Sequence, residues 1–328
     1  MAMNDTGLNL LSVIIPVYNE EAVLHECHQR LSKILSTMDL DYELIFINDG
    51  SYDKTFYIIE DLQSKDPHIS VVDLSRNFGK EIALSAGLDV ADGMAVIVID
   101  ADLQDPPELI PILLSEWRKG FDVVYAQRME RKGESYLKRF SAYAFYRLMR
   151  RLGRVSIPAD TGDFRLLSRR AVLALRHFRE HHRFMKGLFS WIGFSQKAIS
   201  YKREPRFAGK TKWNYWQLWN FALEGITSFT TIPLRLATYL GLVTASGAFL
   251  YGFIIFIRTL LYGNPVPGYP SLVVIILFLG GMQLMALGII GEYLGRVFNE
   301  TKQRPLYFVN SYKPGTIVQA HIDQKYIT

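Results

Sequence analysis

Two kinds of apolar pattern divide the chain. Over the first 128 residues, short continuous apolar runs alternate with stretches in which apolar residues recur every three or four positions. Continuous runs rich in β-branched residues predict strands buried on both faces. They fall at residues 12–17, 43–47, 69–74, 96–99 and 122–126. Between them Val23, Leu24, His28, Leu31 and Leu35 have helical spacing, as do Ile58, Ile59 and Leu62, and residues 81–90 are rich in alanine. Asn19 is the expected N-cap of the first helix, and Ser51 or Asp53 that of the second, because their side-chain oxygens can accept an orphan N–H. Pro106-Pro107 ends the fourth strand and can open a helix at Glu108. This alternation predicts an α/β fold with a parallel sheet covered on both faces.

After residue 128 the pattern changes. Phe140, Ala144, Leu148 and Leu152 recur every four residues, flanked by Lys138, Arg139, Arg147, Arg150, Arg151 and Arg154. A basic amphipathic helix of this kind suits a membrane surface, with a helix packed on the sheet as the alternative. Residues 160–165 precede another helix. A second basic run, residues 197–212, leads to Trp213, Trp216 and Trp219, which share one helical face and suit the headgroup level of a bilayer. Residues 236–257 carry no charge, and at ~1.5 Å per residue they reach about 33 Å, enough to cross the hydrocarbon. Residues 272–290 form a second uncharged run, and the linker between holds Gly263, Pro265, Pro267, Gly268 and Pro270, which suits a short exposed turn. Two spans make a hairpin. Arg235, Arg296, Lys302 and Arg304 at its outer ends, against Arg258 alone at the turn, put both termini in the cytoplasm. Glu292 and Arg296 are one helical turn apart and are expected to pair. The tail beyond Tyr312 carries no readable pattern.

Charge is as uneven as hydropathy. Residues 1–115 hold 6 Lys/Arg and 20 Asp/Glu, residues 116–235 hold 25 and 9, and residues 236–328 hold 6 and 3. A basic middle segment beside two spans favours anionic lipid or phosphate, and no nucleic-acid motif accompanies it. The single cysteine, Cys27, excludes an intrachain disulfide and gives no support to a cysteine-based metal site. Residues 1–11 lack a basic segment followed by an apolar core, so no cleavable signal peptide is expected and the first domain is expected in the cytoplasm. Neither a G-x-G-x-x-G after the first strand nor a G-x-x-x-x-G-K-[ST] is present, which disfavours dinucleotide and P-loop chemistry.

The candidate chemistry lies in Asp100-Ala101-Asp102-Leu103-Gln104-Asp105-Pro106-Pro107. Ligands of open α/β sheets collect beyond the carboxyl ends of strands, where Asp100 and Asp102 are expected. Both are hard oxygen ligands, and Mg²⁺ or Mn²⁺ on a diphosphate needs only one or two of them. A solvated acidic turn is the plain alternative. His177, His181 and His182 have no acidic orienter at obvious spacing in the sequence and are expected at the surface.

Several ordered motifs resemble the family 2 glycosyltransferases acting on polyprenyl phosphates. They are the run Val13 to Glu20, Asn48-Asp49-Gly50-Ser51, Arg76-Asn77-Phe78-Gly79-Lys80, the aspartate motif above, Arg206-Phe207-Ala208-Gly209-Lys210-Thr211-Lys212, and Gly291-Glu292-Tyr293-Leu294-Gly295-Arg296 after the second span. The last of these, with the hairpin, is closest to the bactoprenol glucosyltransferases; dolichol-phosphate mannose synthase is a further relative. The resemblance implies a GT-A fold, Rossmann-like with a mainly parallel sheet, over residues 1–212. A juxtamembrane helix at 213–235, a transmembrane hairpin at 236–290 and a cytoplasmic tail at 291–328 follow. It implies that Pro16, Tyr18, Glu20, Asp49, Asp100 and Ala101 bind the donor nucleotide. It implies that Asp100, Asp102 and Gln104 hold Mg²⁺ or Mn²⁺, and that Asp102, Asp163 and Arg128 serve catalysis. Arg139, Arg165, Arg206 and Lys212 are implied to meet the acceptor and its phosphate. Asn48 stands where an acid is commoner, and Lys210 replaces a more usual acid. The absence of Q-x-x-R-W argues against a polymerase.

The implied activity is transfer of a single hexose, glucose from UDP-glucose, to undecaprenyl phosphate at the inner membrane. A downstream flippase and a homo-oligomer are the expected protein partners. The alternatives are mannosyl transfer from GDP-mannose and a membrane-anchored sugar-nucleotide binder without turnover. A phosphate acceptor needs no general base, because its second pKa is about 6 and it is already an anion at neutral pH.

Overall fold

Residues 10–129, 161–181, 183–202, 232–262, 268–317 and 319 are described by the computed structural model. In chain order the first elements are β1 (Leu10–Val17), α1 (Leu24–Leu35), β2 (Asp41–Asn48), α2 (Thr55–Lys65), β3 (Ile69–Leu74), α3 (Lys80–Val90) and β4 (Ala95–Val98). A 3₁₀ turn (Pro107–Leu109), α4 (Ile110–Arg118) and β5 (Val123–Arg128) follow. Then come β6 (Thr161–Ser168), α5 (Arg169–Arg176), α6 (Met185–Trp191), β7 (Gln196–Tyr201), the long helices α7 (Ile232–Tyr262) and α8 (Tyr269–Thr301), and β8 (Val309–Lys313).

The strands form one sheet in the order β7-β5-β6-β4-β1-β2-β3-β8. β1 pairs in parallel with β2 and β4, and β2 with β3; β6 and β8 run antiparallel to their neighbours. The alternation of side chains along β1 splits the core in two. Val13, Ile15 and Val17 join the cluster under α1, α2 and α4, while Ile14 joins the cluster under α3, α5 and α6. With apolar residues on both sides, a one-residue slip would leave the faces equally apolar, so helix packing fixes the register. At Gly87 of α3 an added Cβ would lie 2.4 Å from Ile14 Cγ2, so this helix sits closer to the sheet than any larger residue permits.

Two expected helix caps need correction. Asn19 does not cap α1: it has φ +53, outside the extended region an N-cap adopts, and its Oδ1 accepts the N–H of Tyr52 at 3.0 Å. Ser51 does not cap α2, because its hydroxyl accepts the N–H of Asn19 at 3.0 Å; Asp53 meets the first-turn N–H of Thr55 at 2.9 Å. The sheet is mainly parallel, as the resemblance implied, with β6 and β8 as its antiparallel members. Residues 161–165 do precede a helix, α5, and themselves belong to buried antiparallel β6, whose polar residues find partners inside the fold: Ser168 donates to Asp122 at 2.9 Å. The predicted helix at 136–154 and residues 213–231 of the predicted juxtamembrane helix lie outside the described residues, while residues 232–235 belong to α7 rather than to a separate helix.

α7 and α8 stand as a hairpin with large apolar side chains outward; Phe249 is 78% and Leu284 72% exposed. The segments Ala237–Tyr262 and Phe278–Thr301 are long and apolar enough to cross a membrane. An exposed apolar surface of this extent needs lipid or protein against it. The expected Glu292–Arg296 pair forms at 3.1 Å. Beyond α8 the chain folds back on the sheet domain. The His181 imidazole meets Glu300 at 3.4 Å and the carbonyl of Arg304 at 2.8 Å, so His181 does have an acidic partner, one supplied from a distant part of the chain. Tyr307 donates to Asp89 at 2.8 Å, and β8 adds to the free edge of β3, with Asn310 donating to Asp73 at 3.2 Å.

Candidate active site at the switch point of the sheet

Strand order reverses between β1 and β4, and the carboxyl ends of these strands open on one crevice, where open α/β sheets bind ligands. Ile99 is buried, and Asp100 follows β4 at the lip of the crevice. Asp102 comes next, its Oδ1 accepting the N–H of Gln104 at 3.1 Å. Leu103 has φ +56, a conformation costly for a branched side chain, and its side chain is buried. Burial of Leu103 therefore holds the turn that presents both aspartates. Asp105 is buried and accepts the Tyr201 hydroxyl from the end of β7. The Arg128 Nε donates to that hydroxyl at 3.4 Å, so a three-residue chain fixes the guanidinium.

The opposite wall is built by the Asn48–Ser51 and Arg76–Lys80 segments. Asp49 accepts the N–H groups of Phe78 at 2.7 Å and Gly79 at 2.9 Å. Gly50, at φ +65, fits where a Cβ would lie 2.4 Å from the Arg76 carbonyl carbon. The clamp sets Gly79 at φ +97 and starts α3 at Lys80. From there the Lys80 ammonium reaches Asp100 at 2.7 Å and Asp163 at 2.5 Å. Asp163 is 8% exposed, and its second oxygen, Oδ1, has no hydrogen-bond partner. Burial alone would raise the Asp163 pKa, but Lys80, with Lys186 and Arg165, holds it far below the usual carboxylate range. Burial would likewise lower Lys80, and Asp100 and Asp163 outweigh it and raise it. Glu81 is pushed up to about 7, first by burial and then by Asp163, while its Oε2 accepts the Met185 N–H at 3.0 Å.

The residues singled out from the sequence divide accordingly. Pro16 and Tyr18 flank the crevice at the end of β1, with the Tyr18 ring edge-on to Tyr52 at 6.1 Å. Glu20 donates its N–H to Thr55 at 2.8 Å. Ala101 is buried, and Asp100, Asp102 and Gln104 share one turn. Lys80 joins Asp163 to Asp100, and the Arg128 guanidinium lies beside Gly162, where an added Cβ would be 3.2 Å from it. Asp49 is placed differently: its carboxylate holds the Phe78–Gly79 backbone. Arg165 is also placed differently. It is 4% exposed, donates to the carbonyls of Gly162 at 2.8 Å and Asp163 at 3.2 Å, and stacks over Phe189 at 3.8 Å, so it braces β6. Burial pushes its guanidinium down to about 10. Arg139, Arg206 and Lys212 lie outside the described residues. Lys80, Asp105 and Tyr201 are additions that pattern did not supply. Lys80 lies within a family motif, but nothing local signals that it bridges two carboxylates 20 and 83 residues away. Asn48 in place of an acid has a physical reason: its amide donates to Asp73 at 2.7 Å, where an acid would face a like charge.

Among the described residues no three His, Cys, Asp or Glu side chains group as a complete metal site. Asp100 and Asp102, with Asp163 joined to Asp100 through Lys80 and keeping one orphaned oxygen, fit an ion whose remaining ligands come from a substrate diphosphate.

Residues 12–176 match the model of glycosyl transferase family 2, and residues 232–297 match that of the GtrB C-terminal hairpin. The chain belongs to the family 2 glycosyltransferases. Its mainly parallel mixed sheet is the GT-A arrangement, here joined to a two-helix C-terminal hairpin. An uncharacterised glycosyltransferase of Synechocystis is 53% identical, with 92% of this chain and 94% of the relative covered. Bactoprenol glucosyl transferase of Shigella phage SfV is 48% identical, covering 92% and 99%. The prophage homologue of Escherichia coli K12 is 47% identical over the same shares. Among solved structures, glucosyl-3-phosphoglycerate synthase of Mycobacterium tuberculosis with Mn²⁺ and UDP-glucose is 21% identical, covering 68% of this chain and 79% of that one, with a TM-score of 0.44.

Proposed function

We propose that the protein transfers one hexose, glucose from UDP-glucose, to the phosphate of a membrane polyprenyl phosphate, with the catalytic unit on the cytoplasmic face. The observation that carries this is the joining of a glycosyltransferase domain to a hairpin of membrane-crossing length in one chain, in a pairing shared over nearly the full length of bactoprenol glucosyl transferases. A lipid phosphate stays at the headgroups, so the site must be tethered there.

In the reaction the acceptor phosphate oxygen attacks the anomeric carbon, the bond from that carbon to the diphosphate breaks, and the nucleotide diphosphate leaves with the electron pair. Attack opposite the leaving group inverts the sugar. Asp100 and Asp102, with Gln104 beside them, would hold Mg²⁺ or Mn²⁺ jointly with the donor; when bound, the ion supplies positive charge to the leaving diphosphate. Arg128, fixed by Tyr201, adds charge on the same side. The acceptor is already an anion and needs positioning rather than deprotonation. Asp163, locked as a carboxylate by Lys80, is a weak base and suits orientation of the acceptor side of the crevice.

The acceptor claim is tested with purified protein, UDP-glucose labelled in the sugar, and either undecaprenyl phosphate or undecaprenol. Label should enter the lipid phase with the phosphate alone; equal transfer to the alcohol would contradict it. The orientation is tested with Gly268→Cys in intact spheroplasts. An impermeant thiol reagent should label it without lysis, and labelling that requires lysis would reverse the hairpin.

A further inference from the structure

We propose that Lys80 is a resident cation of the donor site: its ammonium neutralises Asp100 and Asp163 in the donor-free protein and gives up Asp100 when the metal-bound donor enters. The inference rests on the assignment of Asp100 as a metal ligand made above.

The geometry is specific. One ammonium lies 2.7 Å from Asp100 and 2.5 Å from Asp163, between the β4 turn and β6. Glu81, the next residue of α3, adds a third carboxyl in the same region. The guanidinium of Arg165 is already engaged: it donates to the carbonyls of Gly162 and Asp163 and stacks on the Phe189 ring of α6. Lys186 of α6 also lowers Asp163, but the ion pair that reaches both Asp163 and Asp100 is made by Lys80. Among the described residues, Lys80 is thus the cation that keeps Asp100 and Asp163 together.

Its backbone is pinned by the Asp49 clamp, but its side chain is 43% exposed, so the ammonium can turn on a flexible stem while α3 stays in place. Asp163 keeps one buried oxygen without a partner even with Lys80 in position, so the single ammonium leaves the pocket's acceptor capacity unfilled. A diphosphate offers the ammonium new oxygens at the moment Asp100 is needed elsewhere. Lys80 therefore acts as a positioning residue, and it opposes cation binding at Asp100 until the donor arrives.

The test measures Mn²⁺ binding by the full-length protein in detergent, without nucleotide, in wild type, Lys80→Met, Lys80→Arg and Asp100→Asn. Removing a unit charge in contact with a carboxylate should tighten Mn²⁺ binding by about tenfold in Lys80→Met. Lys80→Arg, which keeps the charge, should bind as weakly as wild type, and adding Asp100→Asn to Lys80→Met should abolish the gain. Lys80→Gln serves as the second charge-removing variant if Lys80→Met does not fold. Unchanged or weaker Mn²⁺ binding in the charge-removing variants, with binding still lost in Asp100→Asn, would overturn the role of Lys80 alone. Binding indifferent to Asp100→Asn in every variant would overturn the metal assignment and this inference with it.

Discussion

Asp102→Asn should lower sugar transfer by about 10²–10³-fold while leaving the fold intact, since the loss removes charge stabilisation at the leaving group. The Asp102 carboxylate takes the N–H of Gln104 within its own turn, and an amide oxygen can still accept that bond. Thermal melting beside the initial rate checks that the fold is kept. Asp100→Asn should be comparably damaging to transfer but should also loosen Lys80, whose ammonium lies 2.7 Å away. Full activity of Asp102→Asn at ordinary magnesium would sink the assignment.

Asp163→Asn should reduce transfer by about 10²-fold through lost orientation, without moving the pH midpoint of the rate. The sign follows from the charges. Lys80 depresses the Asp163 pKa, so the group stays ionised through neutrality, and its stabilising contribution is lost only as pH falls through the acid range. The rate should instead rise through the acceptor phosphate's own pKa, about 6, and then level off. Changing the acceptor to a phosphonate of different acidity should shift that midpoint. Glu81 is the group that could mimic this profile, because burial pushes it up to about 7. A midpoint that ignores the acceptor and disappears in Glu81→Gln would identify a protein base and contradict the mechanism.

Much of the catalytic fold is legible from pattern because its strands are buried on both faces. β3 coincides with its predicted limits, and β1, β2, β4 and β5 fall within two residues of theirs. The losses have a common cause. β6 carries Asp163, Arg165 and Ser168 on a fully buried strand, and the partners that make burial tolerable come from Lys80, backbone carbonyls and Asp122. β8 is largely exposed and is held by Asp73, Gln63 and Glu60, so it carries no apolar signature. Charge type alone could not separate Arg128, whose guanidinium meets Tyr201 at the crevice, from Arg165, which braces a strand. The motif positions were readable, but the roles within them were not. Asp49 holds a backbone loop and Lys80 bridges two acids, and both facts depend on contacts between distant segments.

Passage of one hexose from a nucleotide onto a lipid phosphate is tested most directly in membranes. Membranes containing the protein, and matching membranes containing Asp102→Asn, should be incubated separately with UDP-glucose, UDP-N-acetylglucosamine and GDP-mannose, each labelled in the sugar. Label from UDP-glucose should enter the organic phase as a polyprenyl-phosphate hexose in the wild-type membranes and not in the variant. Label arriving from GDP-mannose instead would replace the donor, and no lipid label from any nucleotide sugar, with the protein folded and undecaprenyl phosphate supplied, would contradict the proposed transfer.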